Sequence, residues 1–226
     1  MRNYPLISWL ALLVSLTGTA AAAPKAHVVS FGKLTVVKWF VGLDEKQAVD
    51  LKVRALYVDG RQKEFTLGPP HEVTDRLFVV RRAFRLNDAL PDESGSAPKW
   101  RWERGGWLMV DRLTGRVAII DLPDFDTYYS APNWYRDYVA YCGVSDDGKK
   151  MYAMVMQLGR RKPVLKKLLG DAPDDDMPDS ACPGPVWQRQ PARVSFAPDG
   201  QKVTYSVRGH AVDVVNDSDN EDEASE

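Results

Sequence analysis

The sequence predicts an all-β fold in which the strands follow one another as an antiparallel meander. Two observations carry this prediction. Apolar and polar residues alternate with a period of two, and turn-forming Asp-Gly pairs separate the apolar runs at hairpin spacing. Helical periodicity is scarce: only 163–170 suggests a short helix, and its lysines suit an edge strand equally well.

The first half of the chain contains the clearest alternation. Four apolar residues, Leu51, Val53, Ala55 and Tyr57, alternate with the charged residues Asp50, Lys52 and Arg54. This pattern predicts a strand with one buried face that carries the apolar set. Asp59-Gly60 then predicts a turn into a second strand around 65–67, and 77–86 is a further strand candidate.

Three hairpins are expected in the second half. They join 107–110 to 117–120, 139–144 to 151–157, and 193–196 to 202–207. In the last two loops an Asp can accept backbone N–H groups within the turn, and the Gly that follows can adopt positive φ without a steric cost. The sequence therefore predicts positive φ at Gly148 and at Gly200.

The last two hairpins share a sequence pattern, VSDDGKKMYA at 144–153 and FAPDGQKVTYS at 196–206. This pattern resembles the strand–SPDG–strand element of TolB-type β-propeller blades. The resemblance implies a small or partial β-propeller-like domain, because this chain is too short for a ring of six or seven blades. A β-sandwich that uses similar hairpins is the alternative.

The N-terminus has the three parts of a secretory signal. Arg2 precedes an apolar run over 6–16, and the small residues at 20–22 satisfy the A-x-A cleavage rule. The run is shorter than the roughly 20 apolar residues that a membrane-spanning helix needs. We expect cleavage to remove residues 1–22 and to leave an exported protein, periplasmic or secreted, with no stable membrane span.

The remaining chain divides into a domain and a tail. Residues 23–215 are expected to form a single β-rich domain. Residues 216–226 hold six carboxylates and no Lys or Arg, so they are expected to form a disordered acidic tail. The basic run over 160–167 suits a solvated hairpin edge, and nucleic acid is not an expected partner outside the cell.

The chain has two cysteines, Cys142 and Cys182. They predict a structural disulfide, because disulfides form and persist in the oxidising compartments that exported proteins occupy. Two cysteines and three scattered histidines show no metal-ligand spacing. No metal and no cofactor are therefore expected.

The stretch 124–141 is the candidate binding surface. It is rich in aromatic residues with amides and charges among them, a combination that stacks sugar rings or anchors a protein partner. The other interpretation is that these rings fill a β core. On the binding hypothesis, the contact residues are Tyr128, Tyr129, Trp134, Tyr135 and Arg136.

The sequence favours an exported binding or interaction module whose partner is an envelope protein or glycan. One alternative is an envelope hydrolase acting on sugar or peptide, with Asp124 and Asp126 as paired carboxylates. Another is a structural secreted protein without a ligand. No catalytic residue is predicted from motifs, because 143–150 carries Asp147 and Lys150 where a nucleophile elbow and a P-loop need Gly and Ser/Thr.

Overall fold

The computed structural model describes residues 25–40, 48–89, 98–172, 182–208 and 211–214. Within those ranges the chain forms β-strands and one three-residue 3-10 turn, and every strand pair is antiparallel. The all-β prediction is therefore confirmed. The expected signal peptide, 1–22, and the expected acidic tail, 216–226, lie outside the described residues.

The first sheet contains the N-terminal half of the chain. Its strands are β1 (Val29–Phe31), β2 (Thr35–Phe40), β3 (Ala48–Val58), β4 (Arg61–Glu72), β5 (Leu77–Asn87), β6 (Trp100–Asp111) and β7 (Arg116–Ile120). The order is β1-β3-β4-β5-β6-β7. Strands β1 and β2 pair with the same edge of β3: β2 pairs with its first half and β1 with its last residues.

Strand β3 shows where the predicted alternation holds and where it ends. Leu51, Val53 and Ala55 are buried as predicted. The register with β4 shifts between Leu56 and Tyr57, where β4 contains one extra residue. Leu56 is fully buried in a different core from Leu51 and Val53, so β3 is apolar on both faces at this end. Tyr57 lies on the predicted face, where it lines a pocket with Val53 and Ala55, but it is only half-buried.

The first sheet curls so that its N-terminal strands lie over its later ones. Trp39 on β2 is buried, and its Nε1 donates to the Glu103 carboxylate on β6 at 2.9 Å. Phe31 on β1 contacts Phe78 on β5 with ring centroids 5.9 Å apart. The interior of the curl is filled by buried apolar side chains: Leu56, Phe78, Val80, Leu108 and Val110.

The second sheet is a four-stranded meander. Its strands are β8 (Asn133–Tyr135), β9 (Tyr138–Val144), β10 (Lys150–Gln157) and β11 (Leu165–Asp171), in the order β11-β10-β9-β8. The predicted hairpin joins β9 to β10, with Val144 opposite Met151 and Gly148 at φ +73°. The ambiguous stretch 163–170 forms edge strand β11 rather than a helix, and its lysines are exposed.

The third sheet is also a four-stranded meander. Its strands are β12 (Val186–Gln188), β13 (Arg193–Phe196), β14 (Val203–Arg208) and β15 (Ala211–Val214), in that order. The last predicted hairpin joins β13 to β14 through a 3-10 turn, Pro198–Gly200, with Gly200 at φ +78°. In both the second and the third sheet, the predicted Asp-Gly hairpin therefore joins the second strand to the third.

The three sheets stack as layers, with the second in the middle. One of its faces packs against the first sheet through Val139, Tyr141, Met154 and Met156. The opposite face packs against the third sheet through Ala140, Cys142, Ala153 and Val155. No closed ring of blades forms in the described part of the chain.

The predicted disulfide is present. Cys142 on β9 is bonded to Cys182, which precedes β12, and the two Cα atoms are 6.3 Å apart. Both residues are buried in the core between the second and third sheets. The bond therefore joins these two layers covalently.

Removing this bond is expected to destabilise the protein. Because the bond closes a 40-residue separation, its loss lowers the free energy of unfolding by about 4 kcal/mol on the chain-entropy model. Urea unfolding of the Cys142→Ala/Cys182→Ala variant measures this loss, and reduced wild type should unfold at the same urea concentration. Equal stability of the variant and oxidised wild type would contradict the prediction.

Any side chain in place of Gly200 is expected to lower the free energy of unfolding. At φ +78° an L-residue is disfavoured by about 1–2 kcal/mol, so Gly200→Ala should lower the free energy of unfolding by about that amount. Gly106 is the matched control, since its backbone does not have positive φ and a Cβ there meets nothing within 4 Å. Chemical denaturation should show Gly106→Ala to be neutral or stabilising.

The β6–β7 hairpin depends on a carboxylate. Asp111 Oδ1 accepts hydrogen bonds from Arg76 Nε at 2.7 Å and from Leu113 N at 2.9 Å, and Arg76 Nη2 contacts Oδ2. These hydrogen bonds, with Arg76 first among them, hold the pKa of Asp111 well below its usual range. The side chain thus fixes both the turn and the neighbouring loop.

The contribution of Asp111 should depend on pH. Because its pKa is lowered in the folded state, its stabilising effect is complete above about pH 4 and is lost as the pH falls toward the lower folded pKa. Asp111→Asn should therefore be clearly less stable than wild type at pH 7, and the difference should shrink at pH 3. Thermal melts of wild type and variant at both pH values test this. The control is Asp121→Asn, which changes an exposed carboxylate.

Candidate binding cleft

The five predicted contact residues divide into two groups. Tyr128 packs against Trp39 in the curl of the first sheet, with ring centroids 5.4 Å apart. Tyr129 contacts the ring of Tyr128, also at 5.4 Å between centroids, and lines a pocket beside the disulfide. Trp134, Tyr135 and Arg136 line one cleft. The fold therefore brings three of the five together and separates the other two from them.

This cleft lies where the end of β4 meets β8 and the segment that follows β12. Its volume is about 670 Å³, within the range of small-molecule sites. Residues of three separate parts of the chain line it: His71, Glu72 and Val73; Trp134, Tyr135 and Arg136; and Arg189 and Gln190.

Trp134 forms the buried floor of the cleft. Only 8% of it is exposed, and it belongs to the core between the first and second sheets. Its ring stacks on His71 with centroids 6.0 Å apart and lies 5.4 Å from Trp107. The Nε1 groups of both tryptophans are buried and have no hydrogen-bond partner among the described residues, an uncommon condition for a buried donor.

Tyr135 and Trp187 fix one rim of the cleft. Their ring centroids are 5.4 Å apart, and the Tyr135 hydroxyl donates to the Arg189 carbonyl at 3.4 Å. Trp187 Nε1 donates to the Asn133 carbonyl at 3.0 Å. These contacts tie β8 to the third sheet, so the arginine at 189 is held beside Tyr135.

Arg136 has an unfavourable backbone conformation. It is the first residue of the two-residue loop between β8 and β9, and its φ is +53°. Glycine is the usual residue when the first position of such a loop has positive φ. Strain of this kind costs on the order of 1–3 kcal/mol and concentrates at functional sites. Here the strained residue is exposed, with its guanidinium 5.3 Å from the centroid of the Tyr135 ring.

The cleft carries an excess of positive charge. Arg136 and Arg189 are exposed, and neither forms an ion pair with another described residue. Both carboxylate oxygens of Glu72 accept hydrogen bonds from Arg112 at 2.8 Å, and these hydrogen bonds lower the pKa of Glu72. The charge of Glu72 is thus offset, and the two arginines favour an anion.

The carboxylates of the hydrolase alternative have local structural roles. Asp124 accepts from Lys166 Nζ at 2.8 Å. Asp126 Oδ1 accepts from the backbone N of Tyr128 and of Tyr129, at 2.6 and 3.1 Å. Both aspartates line the pocket of about 480 Å³ beside the disulfide, not the cleft.

Sequence reasoning missed His71, Arg189 and Trp187. Each is an isolated residue in an unremarkable local pattern, and each reaches the cleft only through contacts with residues more than 50 positions away. The one available signal was composition, since Trp187 and Arg189 repeat the aromatic–arginine pairing of Tyr135 and Arg136.

The described residues contain no group of three or more His, Cys, Asp or Glu side chains that could hold a metal ion. Within the same ranges, no helix is long and apolar enough to cross a membrane. No protein-family model, curated protein or solved structure matches the chain. The cleft is therefore interpreted from its own geometry.

Proposed function

We propose that the protein is an exported binding module that holds a component of the cell envelope or extracellular space in the cleft. The observation that carries the proposal is Arg136, an exposed arginine with positive φ that no described carboxylate pairs with. Stability alone would favour glycine at this position. The ligand therefore supplies the reason for an arginine there.

Export is part of the proposal and has two supports. The N-terminal sequence has the pattern of a cleaved secretory signal. The Cys142–Cys182 disulfide is of a kind that persists in oxidising compartments, the periplasm and the extracellular space among them.

The second and third sheets are proposed to be two blade-like repeats of the TolB type. Both are four-stranded antiparallel meanders, and in both the hairpin that resembles such blades joins the second strand to the third. The pairs Val144–Met151 and Phe196–Val203 occupy corresponding positions in the two hairpins. This correspondence supports a repeat of the kind that a partial propeller contains.

Replacing Arg136 by glycine should separate binding from stability. Arg136→Gly relieves the strain at positive φ, so its melting temperature should equal or exceed that of wild type, while its affinity for soluble envelope fractions should fall at least tenfold. Calorimetry measures the first quantity and equilibrium binding the second.

The matched control is Arg161→Gly, which removes an exposed arginine from the turn between β10 and β11, away from the cleft. It should bind the same fractions as wild type does. Unchanged binding by Arg136→Gly would contradict the proposed function.

A further inference from the structure

Several hydrogen-bond acceptors around the cleft are already in use. Both carboxylate oxygens of Glu72 accept from Arg112. The Arg136 carbonyl accepts from His71 Nε2 at 2.8 Å, and the Arg189 carbonyl accepts from the Tyr135 hydroxyl. Glu72 is the one acidic residue among the described residues that line the cleft, so its engaged charge leaves little to attract a cationic ligand.

The donors at the mouth of the cleft are not used in this way. The guanidinium groups of Arg136 and Arg189 form no ion pair within the described ranges. A guanidinium presents five N–H donors in a planar fork that matches carboxylate and phosphate oxygens. The ligand that fits this cleft is therefore anionic and rich in acceptors.

The shape of the cleft favours a small polar ligand over a protein surface. A stable protein interface uses about 20–30 residues on each partner, whereas eight described residues line this cleft. Val73 is the single aliphatic residue among them, so an aliphatic peptide side chain would find few partners. The Tyr135 hydroxyl, which donates to the Arg189 carbonyl, can still accept a hydrogen bond from a sugar hydroxyl.

Resting on the proposed function, we propose that the ligand is an acidic saccharide whose carboxylate, sulfate or phosphate group lies between Arg136 and Arg189. The sugar hydroxyls and ring oxygen supply acceptors for the remaining guanidinium N–H groups. The charged group supplies the counter-ion that the two arginines lack. The saccharide lies against Tyr135, above the floor formed by Trp134.

The test is a titration of the mature protein with matched oligosaccharides. The probes are tri-galacturonate and its neutral methyl ester, a sulfated and a phosphorylated trisaccharide, and the unsubstituted neutral trisaccharide. At least one acidic probe should bind, and its neutral counterpart should bind at least tenfold more weakly. Comparing the three acidic probes identifies which anionic group the cleft takes.

Variants locate the binding and give a second measurement. Arg136→Gly and Arg189→Ala should each weaken binding of the acidic probe by about tenfold or more, whereas Arg161→Gly should not. Raising the salt concentration should weaken binding by wild type and less so by either cleft variant, because fewer charges then contribute.

The possible failures differ in what they overturn. If neutral and acidic probes bind equally, or if only peptides that end in a free carboxylate compete for the cleft, the saccharide inference is wrong. If no probe binds but envelope fractions still bind in an Arg136-dependent manner, that inference falls and the proposed function stands. If neither probes nor fractions bind, both are wrong.

Discussion

The structure depends on the burial of the second sheet on both faces. Alternate residues of β9 and β10 enter two different cores, one shared with the first sheet and one with the third. This requires near-continuous apolar sequence in both strands, and 139–142 and 151–156 provide it. Neither neighbouring sheet could cover its own inner face without this middle layer.

The cleft is a consequence of this layering. Strand β9 packs between two cores, and the edge strand β8 pairs with β9. Strand β8 therefore lies where the first and third sheets approach each other. Trp134 on β8 turns into the core with Trp107, and Tyr135, the next residue, packs on Trp187 of β12. Period-two alternation thus directs neighbouring aromatic residues to the floor and the rim of the same cleft.

Local chemistry decided which features the sequence could predict. The hairpins and the positive φ of Gly148 and Gly200 follow from Asp-Gly pairs, and the disulfide follows from two cysteines in a chain whose N-terminus predicts export. The bulge opposite Leu56 and Tyr57 could not be predicted, since its extra residue, Lys63, lies on the neighbouring strand β4 and interrupts no pattern within β3. Bulges arise from pairing with a neighbouring strand, which the alternation within one strand does not contain.

The aromatic stretch shows the same limit at the site. Composition identified the rings but not their destinations: Tyr128 joins the curl of the first sheet, and Trp134 joins the core between the first and second sheets, so the core interpretation applies to both. What distinguishes Arg136 from these rings is that packing does not explain it. A ring in a core is stabilised where it lies, whereas an exposed arginine with positive φ lowers stability and gains no described ion pair. A residue whose conformation lowers the stability of the fold is the best indicator of a functional site. Here that residue is Arg136, which lies at the mouth of the cleft.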